Sequence, residues 1–131
     1  MARAKEKPAC PCGGANYEQC CGRFIDQGEV PETAEQLMRS RYTAYTLRNE
    51  PYLKATWHPT TRPADEIARD DGTKWLGLEV RKHAPDGDKA TVEFVARYKI
   101  GGRAHRLHEV SRFVREDGKW FYVDGSFPEQ T

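Results

Sequence analysis

The stretch Val92-Glu-Phe-Val-Ala-Arg-Tyr-Lys-Ile100 decides the fold. Val92, Phe94, Ala96, Tyr98 and Ile100 share one side of a period-two pattern, as in an extended strand with one face buried. Upstream, Leu76, Leu78 and Val80 alternate with Trp75, Gly77, Glu79 and Arg81, and Pro85-Asp-Gly-Asp88 supplies a turn between the two runs. Downstream, Gly101-Gly102 leads into a third strand over about 103–115, and Asp117-Gly118 precedes a last strand from Trp120 to Asp124. Such glycine-containing pairs favour tight hairpin turns between antiparallel strands. The second half of the chain therefore reads as a four-stranded antiparallel meander.

The period ahead of the meander is helical. Thr33-Ala-Glu-Gln36 is a capping box, in which the hydroxyl takes a free helix N–H and the amide bonds back, so a helix is expected over 33–48. Asn49-Glu50-Pro51 breaks it and starts a second, short helix, which Trp57-His58-Pro59 ends. A third short helix is expected over 63–70, stopped by Asp71-Gly72. Helices first and strands second give an α+β domain over 31–131, with helices packed on a curved four-stranded antiparallel sheet. Residues 1–30 form a separate unit with its connector, whose disruption is expected to disorder residues near 10–22 and to leave 33–125 largely unchanged.

The chain has 131 residues, enough for one ordinary domain and its own core. Leu, Ile, Val and Phe number only 21, but the net charge is +1 and 14 aromatic residues supply apolar volume, so disorder is excluded. No run approaches the ~18 apolar residues of a membrane span. Met1-Ala-Arg-Ala-Lys-Glu-Lys-Pro8 has charge and no apolar segment, so no secretory signal is read and a cytoplasmic location is expected. With 21 basic and 20 acidic residues, overall charge gives no case for nucleic acid.

All four cysteines fall in Cys10-Pro-Cys12-Gly-Gly-Ala-Asn-Tyr-Glu-Gln-Cys20-Cys21-Gly22. In a reducing compartment, two close pairs point to a metal site, with local disulfides or a redox thiol cluster as the alternatives. Four thiolates leaving no open position are the structural form of a zinc site. The cofactor expected from Cys10, Cys12, Cys20 and Cys21 is one structural zinc ion per chain.

This segment resembles the SEC-C motif, the zinc knuckle first known at the C-terminus of the SecA translocation ATPase. The remainder resembles the YchJ-like family of uncharacterised bacterial proteins. The matching residues are Leu37-Met-Arg-Ser-Arg-Tyr42, Tyr52-Leu53, Thr56-Trp-His-Pro59, Trp75-Leu-Gly-Leu78, Val92-Glu-Phe-Val-Ala-Arg97, Glu109, Ser111-Arg-Phe113, Trp120-Phe-Tyr122 and Asp124-Gly125. The resemblance implies a nuclear transport factor 2-like (cystatin-like) domain, in which helices close a curved sheet into a cone. It also implies zinc at the four cysteines. Many SEC-C copies carry several lysines between the cysteine pairs, whereas Gly-Gly-Ala-Asn-Tyr-Glu-Gln here has none, which weakens transfer of a nucleic-acid or ribosome role.

On a helical wheel, Arg41 falls among Ala34, Leu37, Met38 and Tyr45, and strand alternation puts Glu109 with Leu107, Ser111 and Phe113. A buried guanidinium needs an acceptor, so Arg41 and Glu109 are expected to be partners, either as a structural ion pair or as a ligand anchor. Trp120 and Tyr122 share a strand face and are further candidates for lining a pocket. Enzymes on this fold commonly place an acid and a base inside the cone, which makes His58 and Asp124 the catalytic candidates, by analogy of fold alone. The leading reading is a zinc-containing module that binds a protein partner, through the knuckle or cone, or a small ligand. A small hydrolase, isomerase or dehydratase is the second, and a nucleic-acid- or ribosome-associated protein the third.

Overall fold

The computed structural model describes residues 9–68 and 71–128. Three helices precede four strands: α1 (Gly22–Ile25), α2 (Ala34–Thr46), α3 (Glu50–Ala55), β1 (Lys74–Asp86), β2 (Lys89–Ile100), β3 (Arg103–Glu116) and β4 (Lys119–Ser126). The strands form one antiparallel sheet in the order β1-β2-β3-β4. The hairpin at Asp117-Gly118 has positive φ at both residues (54° and 78°), the backbone hand that lets a two-residue turn match the twist of its strands.

Helix α2 begins with a variant of the capping box: the Gln36 N–H donates to Thr33 Oγ1 (3.1 Å), and Gln36 Oε1 accepts from the N–H of Glu32 (2.7 Å), one residue before the cap. Its buried Ala34, Leu37, Met38 and Tyr42 pack on Val92, Phe94, Ala96, Phe113 and Trp120 of the sheet. Ala44 turns instead towards Leu53 of α3 and Ala68. Residues 56–58 then lie parallel to β4, where the His58 N–H donates to Tyr122 O (2.8 Å) and the Tyr122 N–H to Thr56 O (2.9 Å).

Three expectations need correction. The segment expected to be connector contains α1. The helix expected over 63–70 is absent among its described residues. There, the Glu50 carboxylate accepts from the Ile67 and Ala68 N–H groups (2.8–3.1 Å), and Lys54 Nζ donates to Pro63 O and Asp65 O (2.7 and 2.8 Å), so tertiary groups replace the helical ladder. On β1, a register shift between Trp75 and Gly77 breaks the alternation. An extra residue in one strand reverses which face follows. Trp75 therefore turns inward against Tyr42, Tyr45 and Tyr98, and Leu76 is left 56% exposed.

Candidate functional site

Helix α2 carries two sites on different faces. On one, a tight turn closes with the Cys10 N–H donating to Gly14 O and the Gly13 N–H to Cys10 O, both at 2.9 Å. The N–H groups of Cys20 and Gly22 both donate to Tyr17 O (3.0 and 2.8 Å), which folds the second cysteine pair back towards the first. A Cβ at Gly14 would lie 2.7 Å from Cys20 Sγ, so the sulfurs converge only because that position has none. The Sγ atoms of Cys10, Cys12, Cys20 and Cys21 lie within 4.8 Å of one another, with Cys12 and Cys20 at 3.5 Å. A tetrahedral metal–thiolate centre with bonds of about 2.3 Å places its sulfurs about 3.8 Å apart, so the four fit around one ion.

The electrostatics give the same reading. Hydrogen bonding by Cys21 outweighs burial and lowers the Cys12 thiol to about 5, whereas burial raises Cys20 to about 11. Cys21 is pushed far up, chiefly because its S–H is held by Cys12. The balance of burial and mutual contact thus favours the thiolate at Cys12 and opposes it at Cys20 and Cys21, so four thiolates together need a cation among them. The knuckle is tied to α2 by Cys10 Sγ against Thr43 Oγ1 (3.6 Å) and by Arg39 Nη1 donating to Cys12 O (3.1 Å). Cys10, Cys12 and Cys21 belong to the same apolar cluster as Leu37, Met38 and Tyr42.

The other site lies between α2 and the sheet. A cavity of about 270 Å³ has apolar walls that include Met38, Phe94, Leu107 and Phe113, and among them stand Arg41, Tyr45, Glu109, Ser111 and Tyr122. Arg41 is 5% exposed and Glu109 8%. They do not form the direct pair expected from the sequence. Arg41 Nη1 donates to Leu53 O (2.9 Å) and Thr56 Oγ1 (2.7 Å), and the guanidinium lies over the rings of Tyr122 and Trp57, 4.6 and 5.1 Å from their centroids. Glu109 Oε2 accepts from Ser111 Oγ (2.7 Å) and the Tyr122 hydroxyl (3.1 Å). Tyr122 thus bridges the two ions, one through its ring face and the other through its hydroxyl.

Burial drives the Tyr122 hydroxyl well above its ordinary value, with the neighbouring Glu109 charge adding to the shift, so it remains a donor. Burial also raises Tyr45, while Arg41 beside it works in the opposite direction. Gly125 on β4 completes the arrangement, because a Cβ there would overlap the Glu109 carboxylate. A glycine inside a strand often marks such a close approach, which is the signal in the sequence that could have identified it. Ser111 and Tyr45 were legible as members of the right faces, but their contacts with the ions were not.

The remaining candidates lie elsewhere. His58 bonds through Nε2 to Glu116 (2.9 Å) and through Nδ1 to Thr60 (2.8 Å) and packs edge-on against Phe121. Asp124 forms a bidentate pair with Arg112, which holds its carboxyl below the usual range. Neither lines the cavity. Trp120 does not line it either: its Nε1 donates to Glu32 O (3.2 Å) and Arg115 covers its ring. His108 bonds Glu93 at 2.7 Å and is likewise outside the cavity. A larger groove, about 430 Å³, runs past Arg48, Asp71 and Lys74, whose charged groups are exposed.

The chain is 56% identical to a UPF0225 protein of Ralstonia nicotianae, across 95% of this chain and 98% of that one. Its structure is similar to the solution structure of a SEC-C motif containing protein from Rhodopseudomonas palustris, at 32% identity and a TM-score of 0.84, covering 92% of this chain and 98% of that one. It is also similar to the crystal structure of a SEC-C motif containing protein from Psychrobacter arcticus, at 28% identity and a TM-score of 0.74, covering 94% and 84%. The family described as "YchJ, middle NTF2-like domain" matches residues 33–125, the α2-to-β4 unit that encloses the cavity. Together with the cysteine cluster ahead of that unit, these likenesses establish that the chain belongs to the YchJ-like, UPF0225 family.

Proposed function

We propose that this protein binds a small organic ligand in the cavity between α2 and the sheet, and that its N-terminal knuckle holds one structural zinc ion. The observation that carries the ligand reading is an open, apolar-walled space containing two buried, oppositely charged side chains that do not touch. A purely structural pair gains most by closing on itself, since each buried ion otherwise bears its own desolvation cost. Here Arg41 and Glu109 are each held by other groups, and the space beside them is left open. Convergent polar groups in a mostly apolar pocket are the general form of a small-molecule site.

Zinc is the metal that four thiol donors favour, and the absence of a non-protein ligand position favours a structural role. Four cysteine sulfurs gathered around one point suit a metal-bound thiolate site, which persists in a reducing, cytoplasmic location. No helix among the described residues is long and apolar enough to cross a membrane. The positions of His58 and Asp124 outside the cavity weigh against a His/Asp enzyme. Ion pairs of Arg97 with Glu79, Arg112 with Asp124 and Arg115 with Asp88 weigh against a nucleic-acid surface on the sheet.

The test is a fragment screen on the zinc-loaded chain, read from amide and methyl NMR shifts. Binders should move signals of Met38, Ala96, Leu107 and Phe113, and Ala96→Leu, which fills the space, should abolish those shifts while the chain stays folded. Shifts that survive Ala96→Leu, or that map only to the groove past Arg48 and Lys74, would refute the reading.

A further inference from the structure

We infer, building on the ligand reading above, that the cavity selects a neutral amphipathic molecule with a hydrogen-bond donor beside an acceptor, such as a primary carboxamide on an apolar body. Glu109 Oε2 is occupied by Ser111 and Tyr122, whereas Oε1 accepts no hydrogen bond from the described residues, and Glu109 lines the cavity. The oxygen is thus fixed by its partner atom and available to a donor. Arg41 uses Nη1 for Leu53 and Thr56, and it acts on the Tyr45 hydroxyl, with both residues lining the cavity. That side of the cavity offers donors.

The two ions set the charge of the occupant. They already compensate each other across Tyr122, so the described residues that line the cavity carry no net formal charge. A carboxylate ligand would gain Arg41 and meet Glu109; an ammonium would gain Glu109 and meet Arg41. Inside low-dielectric walls a like-charge neighbour is expensive, and among the described residues no further counter-ion lines the space. A neutral group that gives a proton to Oε1 and receives one from the Arg41 side satisfies both without adding charge. Met38, Phe94, Leu107 and Phe113 then take the apolar body.

Benzamide, benzoate, benzylamine and toluene form a size-matched series that separates these cases. Each is titrated at pH 7 into the full zinc-loaded chain, with affinity read from the NMR shifts of cavity residues. Benzamide should bind at least tenfold more tightly than each of the other three. Glu109→Gln, which keeps the shape and removes the charge, should shrink the preference for benzamide over benzoate at least tenfold by raising benzoate affinity. If benzoate or benzylamine binds best to the native chain, or toluene equals benzamide, the neutral-ligand assignment is overturned while the cavity remains a ligand site. If none of the four perturbs cavity residues, the ligand reading itself falls. The native ranking decides the matter even if Glu109→Gln fails to fold.

Discussion

Gly125 leaves room for the Glu109 carboxylate, and the consequence can be measured. An added Cβ would have to displace a buried charged group from two hydroxyl donors, so Gly125→Ala should cost about 1–3 kcal/mol in urea unfolding. Combined with Glu109→Ala, the same substitution should cost much less, since the clash disappears with the carboxylate. Strict additivity would mean that the two residues do not meet. Glu50 supports a second prediction. The Ala68 and Ile67 N–H groups hold its carboxyl below the ordinary 4.5, so this anchor is complete above that value and is lost as pH falls through the lower folded-state value. The amide signals of Ile67 and Ala68 should titrate together in that acid window, and Glu50→Gln should weaken their hydrogen bonds at neutral pH. Amide shifts that stay constant from pH 6 to 2 would contradict it. Several residue-level features were legible in the sequence, among them Arg41 on the inward side of its helix and Glu109 on the inward side of its strand. Their indirect connection was not, because the Tyr122 bridge depends on how β4 and residues 56–58 meet in space.

Helix α2 is the element on which both sites depend. Arg39 and Thr43 hold the knuckle; Met38, Arg41, Tyr42 and Tyr45 line the cavity. Zinc analysis of protein purified without added metal should give about one ion per chain, and oxidised cysteines without metal would contradict the knuckle reading. Because Cys10, Cys12 and Cys21 pack in the same cluster as Leu37 and Met38, chelation should do more than loosen residues 10–22. It should lower the melting temperature of the whole chain and perturb the amides of 39–43. A spectrum of 33–125 unchanged by chelation would show that the packing carries no coupling. At this scale the meander, the capping box and the proline-started α3 were legible because each rests on local rules of period and turn chemistry. The inward turn of Trp75 and the loss of the 63–70 helix were not, because a β-bulge and a distant carboxylate override local preference at those places.

At the scale of the whole molecule, a short chain closes one side of a four-stranded sheet with a single principal helix and keeps a space of about 270 Å³ open beneath it. The arrangement has an energetic cost, since a filled core would gain about 25 cal/mol for each Å² of apolar surface buried. Leaving two ions there without direct contact adds to that cost. Both follow if the space is a binding site. The most direct measurement is an atomic-resolution structure of the zinc-loaded protein with benzamide. The carboxamide should lie between Glu109 Oε1 and the Arg41–Tyr45 side, with the ring against Phe94, Leu107 and Phe113. A closed cavity in which the Arg41 guanidinium contacts the Glu109 carboxylate, with benzamide absent or bound elsewhere, would contradict it.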